Sequence, residues 1–138
     1  MNAGRINIWV GLSVMAAFMA YGFLLIYLRD FAPDKAAWIA EYSTGKHFES
    51  RLAHVHGNLI ALLNILFGWL ILKLPVTGSL GKWGSWLALA GLLMPIGILG
   101  EVYFGLSPVF VLAGAASILA SAVTLAIGVA RGTDRQTA

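Results

Sequence analysis

The sequence predicts an all-α integral membrane protein, a four-helix bundle whose long first connector carries a short interfacial helix. Of its 138 residues, 59% are hydrophobic and 11% are charged, and the mean hydropathy is +0.84. This composition is typical of membrane proteins. Four stretches without charge are each roughly 18–25 residues long, the length that a helix needs to cross a bilayer. The alternating pattern of a membrane barrel is not found in them.

A single domain is predicted over residues 1–138. Its four spans are predicted at 6–28, 48–74, 83–104 and 108–130. The first is too long for the apolar part of a signal peptide, so we interpret it as a span. Pro75 ends the second span, and the short "GLSP" stretch joins the third and fourth into an antiparallel hairpin.

The connector after the first span is long for a compact bundle, which suggests that it has a role. Within it, "PDKAAWIAEY" (33–42) predicts a short helix, because Pro33 and Asp34 suit a helix start. Such a helix either lies among the lipid headgroups or forms a lid over the bundle interior.

Cysteine is absent, which excludes disulfides and thiolate ligands. The net charge of +3 comes without a cluster of Lys and Arg, so nucleic acid is not an expected partner, whereas the lipid bilayer is. The positive-inside rule favours cytoplasmic termini, in a bacterial inner membrane. Basic residues on the side of the termini are Arg5, Lys73, Lys82, Arg131 and Arg135, and those on the other side are Arg29, Lys35, Lys46 and Arg51.

The fourth span is rich in small residues, with Ala113, Ser117 and Ser121 spaced four apart. Such faces let helix backbones approach closely, either within one chain or between copies. A four-helix unit of this size has little interior, which favours a homo-oligomer.

The second span begins with an unusual set of polar residues in "ESRLAHVHGNLIALLN" (49–64). On a helix, His54 and Asn58 are separated by only about 40°, and Arg51 lies on the same side one turn earlier. His56 points roughly 200° away from His54, so the two histidines cannot bind one ion from the same helix. Asn64 lies deeper in the span, where a bond to another helix is its simplest role.

The third span ends on the same side of the membrane as the second begins, which brings Glu101 and Tyr103 to a similar depth as His54. Ionisable groups within membrane segments are costly and usually mark function. Arg51 is expected either in an ion pair with Glu49 or Glu101 or beside the propionates of a haem. Glu101 is alternatively an acceptor that orients a histidine N–H.

An imidazole beside an apolar cavity is a common axial ligand of haem iron, which makes haem the expected cofactor. Zinc is less favoured, because it needs three or four protein ligands. Glycines along the second and third spans are expected to provide flat walls for the porphyrin. These are Gly57, Gly68, Gly91, Gly97 and Gly100.

Three motifs resemble the styrene oxide isomerase family of small four-span membrane proteins. They are "LAHVHG" at the start of span two, an asparagine one or two turns further on, and "YFGLSP" after span three. The resemblance implies a trimer with haem b near the subunit interfaces. It assigns the axial ligand, and thus the iron, to His54, with His56 as a competing alignment. The family asparagine falls between Asn58 and Asn64. Pro95 stands where the family has an acidic residue.

The resemblance implies a Meinwald rearrangement, in which an epoxide becomes a carbonyl compound without redox change and ferric haem acts as a Lewis acid. Tyr103 and an asparagine, Asn58 or Asn64, would orient the epoxide oxygen of a hydrophobic small-molecule substrate. Arg51 and Glu101 would contact the cofactor or its ligand. Two alternatives stay open: a bis-histidine haem protein for electron transfer or haem handling, and a haem-free membrane scaffold. In the first, His56 or His47 of a neighbouring subunit would take the sixth position.

Overall fold

The computed structural model describes residues 2–76 and 79–134, and Arg135 lies outside these ranges. Within them the chain forms helices joined by turns and short connectors, with no strand, and four helical segments are long and apolar enough to cross a membrane. This confirms the predicted fold class. The helices are α1 (Ala3–Asp30), α2 (Lys35–Ala40), α3 (Gly45–Lys73), α4 (Ser79–Ala90), α5 (Leu93–Phe104) and α6 (Val109–Asp134).

The helix ends follow local chemistry. The side chain of Asn2 accepts a hydrogen bond from the backbone N–H of Gly4 and caps α1. Helix α3 ends at Lys73, one turn or less before Pro75, because the residue preceding a proline is driven into an extended conformation; Leu74 has φ −100° and ψ 153°. Gly105, at φ 65°, ends α5 in the left-handed conformation that glycine adopts freely.

The third span differs from its prediction in two ways. It begins at Ser79 and not at residue 83, and it is broken into α4 and α5 at Gly91 and Leu92. Pro95 explains the break, because it has no N–H to donate to the carbonyl four residues earlier and its ring clashes there. The N–H of Leu92 accordingly bonds to the carbonyl of Leu89, three residues back.

Helix α3 and the α4–α5 pair form the centre of the bundle. Helix α1 packs along α3, and α6 packs along α4 and α5. Phe67 of α3, Ala88 of α4 and Leu125 of α6 form a buried apolar cluster between these helices. The hydroxyl of Ser121 donates to the carbonyl of Gly84 at 2.7 Å, so this member of the small-residue face packs within the chain. Ser117 bonds to Ala113 of its own helix.

The predicted connector helix is present as α2, a single helical segment of six residues. The carboxylate of Glu41, directly after it, accepts a hydrogen bond at 2.9 Å from the backbone N–H of Lys46 in the first turn of α3. The connector is therefore tied to the beginning of the helix that carries the polar motif.

Candidate functional site

A groove of about 710 Å³ lies between α1 and α3 and opens on the outside of the bundle. Three polar residues of the α3 motif, Arg51, His54 and Asn58, line it together. This confirms their predicted common face. Apolar side chains of α1 form the opposite wall, among them Met19, Phe23 and Ile26.

The ring of His54 is held in one orientation by a backbone carbonyl. Its Nδ1 lies 2.9 Å from the carbonyl oxygen of Phe18 in α1. Because a carbonyl oxygen only accepts, Nδ1 carries the proton, and Nε2 of the neutral ring keeps its lone pair. The amide nitrogen of Asn58 is 3.5 Å from the same Nδ1 but only 2.9 Å from the carbonyl of His54, which is its main acceptor.

The second nitrogen of His54 is available to a ligand. Nε2 has no hydrogen-bond partner among the described residues, and it is not sealed from the surface; within those residues only Nε1 of Trp38 is both buried and unpartnered. An imidazole with a bonded Nδ1–H and an open Nε2 is the usual state of a histidine that binds a metal.

Gly22 makes room for this ring. A Cβ atom at position 22 would lie 2.7 Å from Cε1 of His54, closer than real Cβ contacts come. Any larger residue would therefore move the imidazole away from the carbonyl of Phe18. A single sequence gives no signal for this pairing, because it depends on which helix packs against α3.

His47 lies in the same groove, one heptad before His54. It is buried, its Nδ1 is 2.9 Å from the carbonyl of Trp38, and its ring stacks on that of Trp38 at 4.8 Å. The ring of Tyr42 meets it edge-on. These contacts attach the first connector to α3 beside the groove, although no connector residue lines it. The spacing of seven residues, which returns a helix to the same face, could have revealed His47.

Two arginines, Arg29 near the end of α1 and Arg51 near the beginning of α3, line the groove at the end nearest the first connector. Arg29 donates two hydrogen bonds to the carboxylate of Asp30, at 2.7 and 2.9 Å, and forms the one ion pair within residues 2–76 and 79–134 for which side chains are described. Arg51 lies 3.9 Å above the ring of Tyr42 and donates to its carbonyl at 3.3 Å. The ion pair of Arg51 with Glu49 or Glu101 is therefore wrong for this structure, because Tyr42 takes the guanidinium.

His56 is separate from the groove, as its position on the opposite face predicted. Its Nδ1 is 2.9 Å from the carbonyl of Leu52 in the same helix. All three histidines thus donate from Nδ1 to backbone carbonyls, and none uses Glu101, whose side chain is exposed. The alternative role of Glu101, as the acceptor that orients a histidine N–H, is therefore wrong for this structure.

Tyr103 belongs to a cluster of three hydroxyl groups from α1, α3 and α5. Its hydroxyl is 2.9 Å from Oγ of Ser50 and 3.5 Å from the hydroxyl of Tyr21. The ring of Tyr21 lies 6.5 Å from that of His54, centroid to centroid. Tyr103 thus bonds to Ser50 and Tyr21 rather than to His54, and it is not among the residues that line the groove.

Asn64 holds helices together. Its amide donates to the carbonyls of Ile60 and Ala88 at 3.0 and 2.9 Å and accepts from the amide of Asn7 at 2.9 Å. Asn7 in turn bonds to the backbone and the hydroxyl of Ser85. Both N–H groups of the Asn64 side chain donate and its oxygen accepts, and the residue is fully buried, about 15 Å along α3 from His54. The helix-to-helix role expected for Asn64 is confirmed.

Replacing Asn64 by alanine is expected to lower the free energy of unfolding by about 1–2 kcal/mol, since it leaves Asn7 and a buried carbonyl with fewer partners. Thermal unfolding in detergent measures the change. Asn58→Ala is the matched control, because the amide of Asn58 donates to its own helix. Equal losses in the two variants would contradict the structural role of Asn64.

The glycines expected to form flat walls for a porphyrin lie instead at contacts between elements of the chain. A Cβ at Gly57 would meet the ring of Phe18, and one at Gly68 would lie 2.5 Å from the carbonyl oxygen of Gly4. Gly91, Gly97 and Gly100 face Ile118, Val111 and Leu106 in the same way. That expectation is wrong: these glycines allow close packing, and the accessible groove lies elsewhere.

Comparison with known proteins gives no matching family model, no matching curated relative and no matching solved structure.

Proposed function

We propose that the chain is a haem b-dependent membrane isomerase that converts an epoxide to a carbonyl compound, with His54 as the axial ligand. The observation that carries the proposal is the place of His54: its Nδ1 is bonded to Phe18, its Nε2 has no partner among the described residues, and the residue lines the groove beside Arg51 and Asn58. Haem needs only one protein ligand, because the porphyrin supplies four nitrogens. The motif resemblance to styrene oxide isomerases supports the reaction.

The residues around the groove fit a haem. Its volume of about 710 Å³ lies in the range of small-molecule sites, and its α1 wall is apolar. Arg29 and Arg51 at one end would meet the propionates, for which guanidinium groups are well suited. Arg51 would do so by leaving Tyr42, and Arg29 by sharing its charge with Asp30.

When bound, ferric haem supplies a Lewis acid for the epoxide oxygen. Within the chain, the carbonyl of Phe18 keeps the proton of His54 on Nδ1. Asn58, one turn from His54 in the groove, has one amide hydrogen beyond the one given to the His54 carbonyl and would orient the substrate oxygen. Met19 and Phe23 would exclude water while hydrogen migrates between neighbouring carbons and one C–O bond breaks.

Two residues that the sequence offered as catalytic, Asn64 and Tyr103, do not line the groove between α1 and α3. Asn64 is fully buried and has no free N–H to donate to a substrate oxygen, so the proposal gives it no catalytic role. Tyr103, whose side chain is 45% exposed, lies away from the groove of its own chain. It would reach a substrate only from a neighbouring copy, which agrees with the homotrimer that the resemblance implies.

The test is the conversion of styrene oxide by haem-loaded protein in nanodiscs, without reductant or oxidant. We expect phenylacetaldehyde as the product. Asn58→Ala should lower kcat by about 100-fold while the Soret band stays unchanged, since an oriented donor to a developing oxyanion contributes that much. An unchanged rate in this variant would contradict the role of Asn58, and no conversion by haem-loaded protein would contradict the isomerase.

A bis-histidine haem protein is the second candidate, and His47 in the groove favours it. His47 and His54 project from the same face of one helix, so one chain cannot place both on opposite sides of one iron. A second copy would have to supply His47 or His56. A low-spin spectrum that added epoxide does not change would favour this candidate, and protein without haem would favour a scaffold.

A further inference from the structure

A second groove, of about 400 Å³, lies at the other end of the bundle from Arg29 and Arg51. It is formed by the beginning of α1, the end of α3 and the beginning of α4. Its walls are mainly apolar and include Ile6, Ile71, Trp86 and Leu89. Neither the histidines nor the proposed reaction involves this groove.

The second groove has a cation at its outer end and apolar side chains further into the membrane. Lys82 lines its outer end, and Leu89 lines it seven residues further along the span, about 10 Å deeper. Between them, the hydroxyl of Ser85 donates to Asn7 and so offers no free proton to a ligand. The inner part therefore suits a hydrocarbon chain, and the outer end suits an anion.

Three cations at this end, Arg5, Lys73 and Lys82, have exposed side chains. Arg5, Lys73 and Lys82 make no ion pair or side-chain hydrogen bond with any residue whose side chain the structure describes. At the opposite end, Arg29 pairs with Asp30, Arg51 is held by Tyr42 and Lys35 donates to the carbonyl of Asp30, which leaves Lys46 as the cation there without a side-chain partner among the described residues. The exposed ammonium group of Lys82 at the rim of the groove is therefore accessible to an anion.

The charges along the sequence show the same difference. The side of the termini has five basic residues and one acidic residue, Asp134, whereas the opposite side has four basic and five acidic residues. The net charges are +4 and −1, which together give the net charge of +3. A leaflet that contains anionic lipid attracts the first side and not the second.

We propose that the second groove is a binding site for an anionic phospholipid. The phosphate binds Lys82, and one acyl chain lies along Ile6, Trp86 and Leu89. Apolar walls and an unpartnered cation at one rim match an amphiphile with a negative head group, and basic pockets between membrane helices are a known kind of lipid site. The site is independent of haem and of the isomerase.

The charge is tested with Lys82→Gln in the full chain. Native mass spectrometry measures retained phosphatidylglycerol against phosphatidylcholine with the same acyl chains. The unsubstituted protein should prefer phosphatidylglycerol, and Lys82→Gln should reduce that preference about five-fold. Lys35→Gln, which removes a lysine at the opposite end, is the matched control and should leave it unchanged. Equal effects of the two substitutions would overturn the proposal.

The apolar part is tested with Gly81→Leu. A Cβ at Gly81 has its nearest neighbour, Val76, at 3.5 Å, so the first atom fits and the larger side chain fills the groove. This variant should retain less of both lipids, whereas Ala122→Leu on the exposed face of α6 should not. Unchanged retention in a folded Gly81→Leu protein would overturn the proposal. Competition by soluble glycerol phosphate would also overturn it, because it would indicate a free phosphate site.

Discussion

Protein in which His54 is replaced by glycine is expected to purify with at least about ten-fold less haem per chain. The imidazole is the one proposed bond between the chain and the iron, and even partners of metal ligands contribute 10- to 100-fold to affinity. The ratio of Soret to protein absorbance measures the loss. Added imidazole should restore part of the band, because the smaller residue leaves room for the free ligand beside Gly22.

His56→Gly is the matched control for this experiment. His56 lies on the same helix, also donates from Nδ1 to a backbone carbonyl, and stands outside the groove. It should keep most of the haem. Equal losses in the two variants would show that the assignment of the ligand to His54 is wrong, and a larger loss in His56→Gly would reverse it.

Gly22→Val should give the second-largest effect, about a ten-fold loss of haem in a protein that still folds. A Cβ at this position would approach Cε1 of His54 to 2.7 Å, so the ring must turn and lose its bond to the carbonyl of Phe18. Partners that orient a ligand are worth 10- to 100-fold in metal affinity. Titration of the purified apoprotein with haemin measures the change in Kd.

Ala20→Val controls for the effect of a β-branched residue in α1, because Ala20 lies on the exposed face two residues earlier. It should bind haemin as the unsubstituted protein does. If Gly22→Val also binds haemin with unchanged Kd, His54 does not need the position that Gly22 allows, and the ligand geometry proposed for it is wrong.

The fold was predictable because lipid imposes a simple requirement. A helix satisfies its own backbone in hydrocarbon, so the length of each apolar stretch and the charges that bound it are enough to find four spans. The break at Gly91 and Leu92 was missed, although Pro95 indicated it. In membrane helices a proline often only bends the helix, and the sequence does not distinguish a bend from a break.

The site was predictable to the extent that it depends on one helix. The rotation of about 100° per residue put Arg51, His54 and Asn58 on one face and His56 on another, and the groove has this arrangement. Contacts between helices were not accessible in the same way. The pairing of Gly22 with His54, and of Arg51 with Tyr42, depends on how α1 and the connector dock on α3.

The two asparagines of α3 show the same distinction. Asn58 and Asn64 were both candidates for the substrate because the asparagine of the family that the motifs resemble falls between them. The structure separates them by their partners: Asn64 forms buried hydrogen bonds with Asn7 and the carbonyl of Ala88, whereas Asn58 lines the groove. Only the packing of α1 and α4 against α3 decides which amide is free.

The absorption spectrum of the unsubstituted protein, purified in detergent from cells supplied with iron and a haem precursor, tests the central claim most directly. We expect a Soret band that is shifted by added styrene oxide, as an iron with one imidazole ligand and an open position would give. A protein that purifies colourless and does not take up haemin would contradict the claim that the groove between α1 and α3 is a haem site.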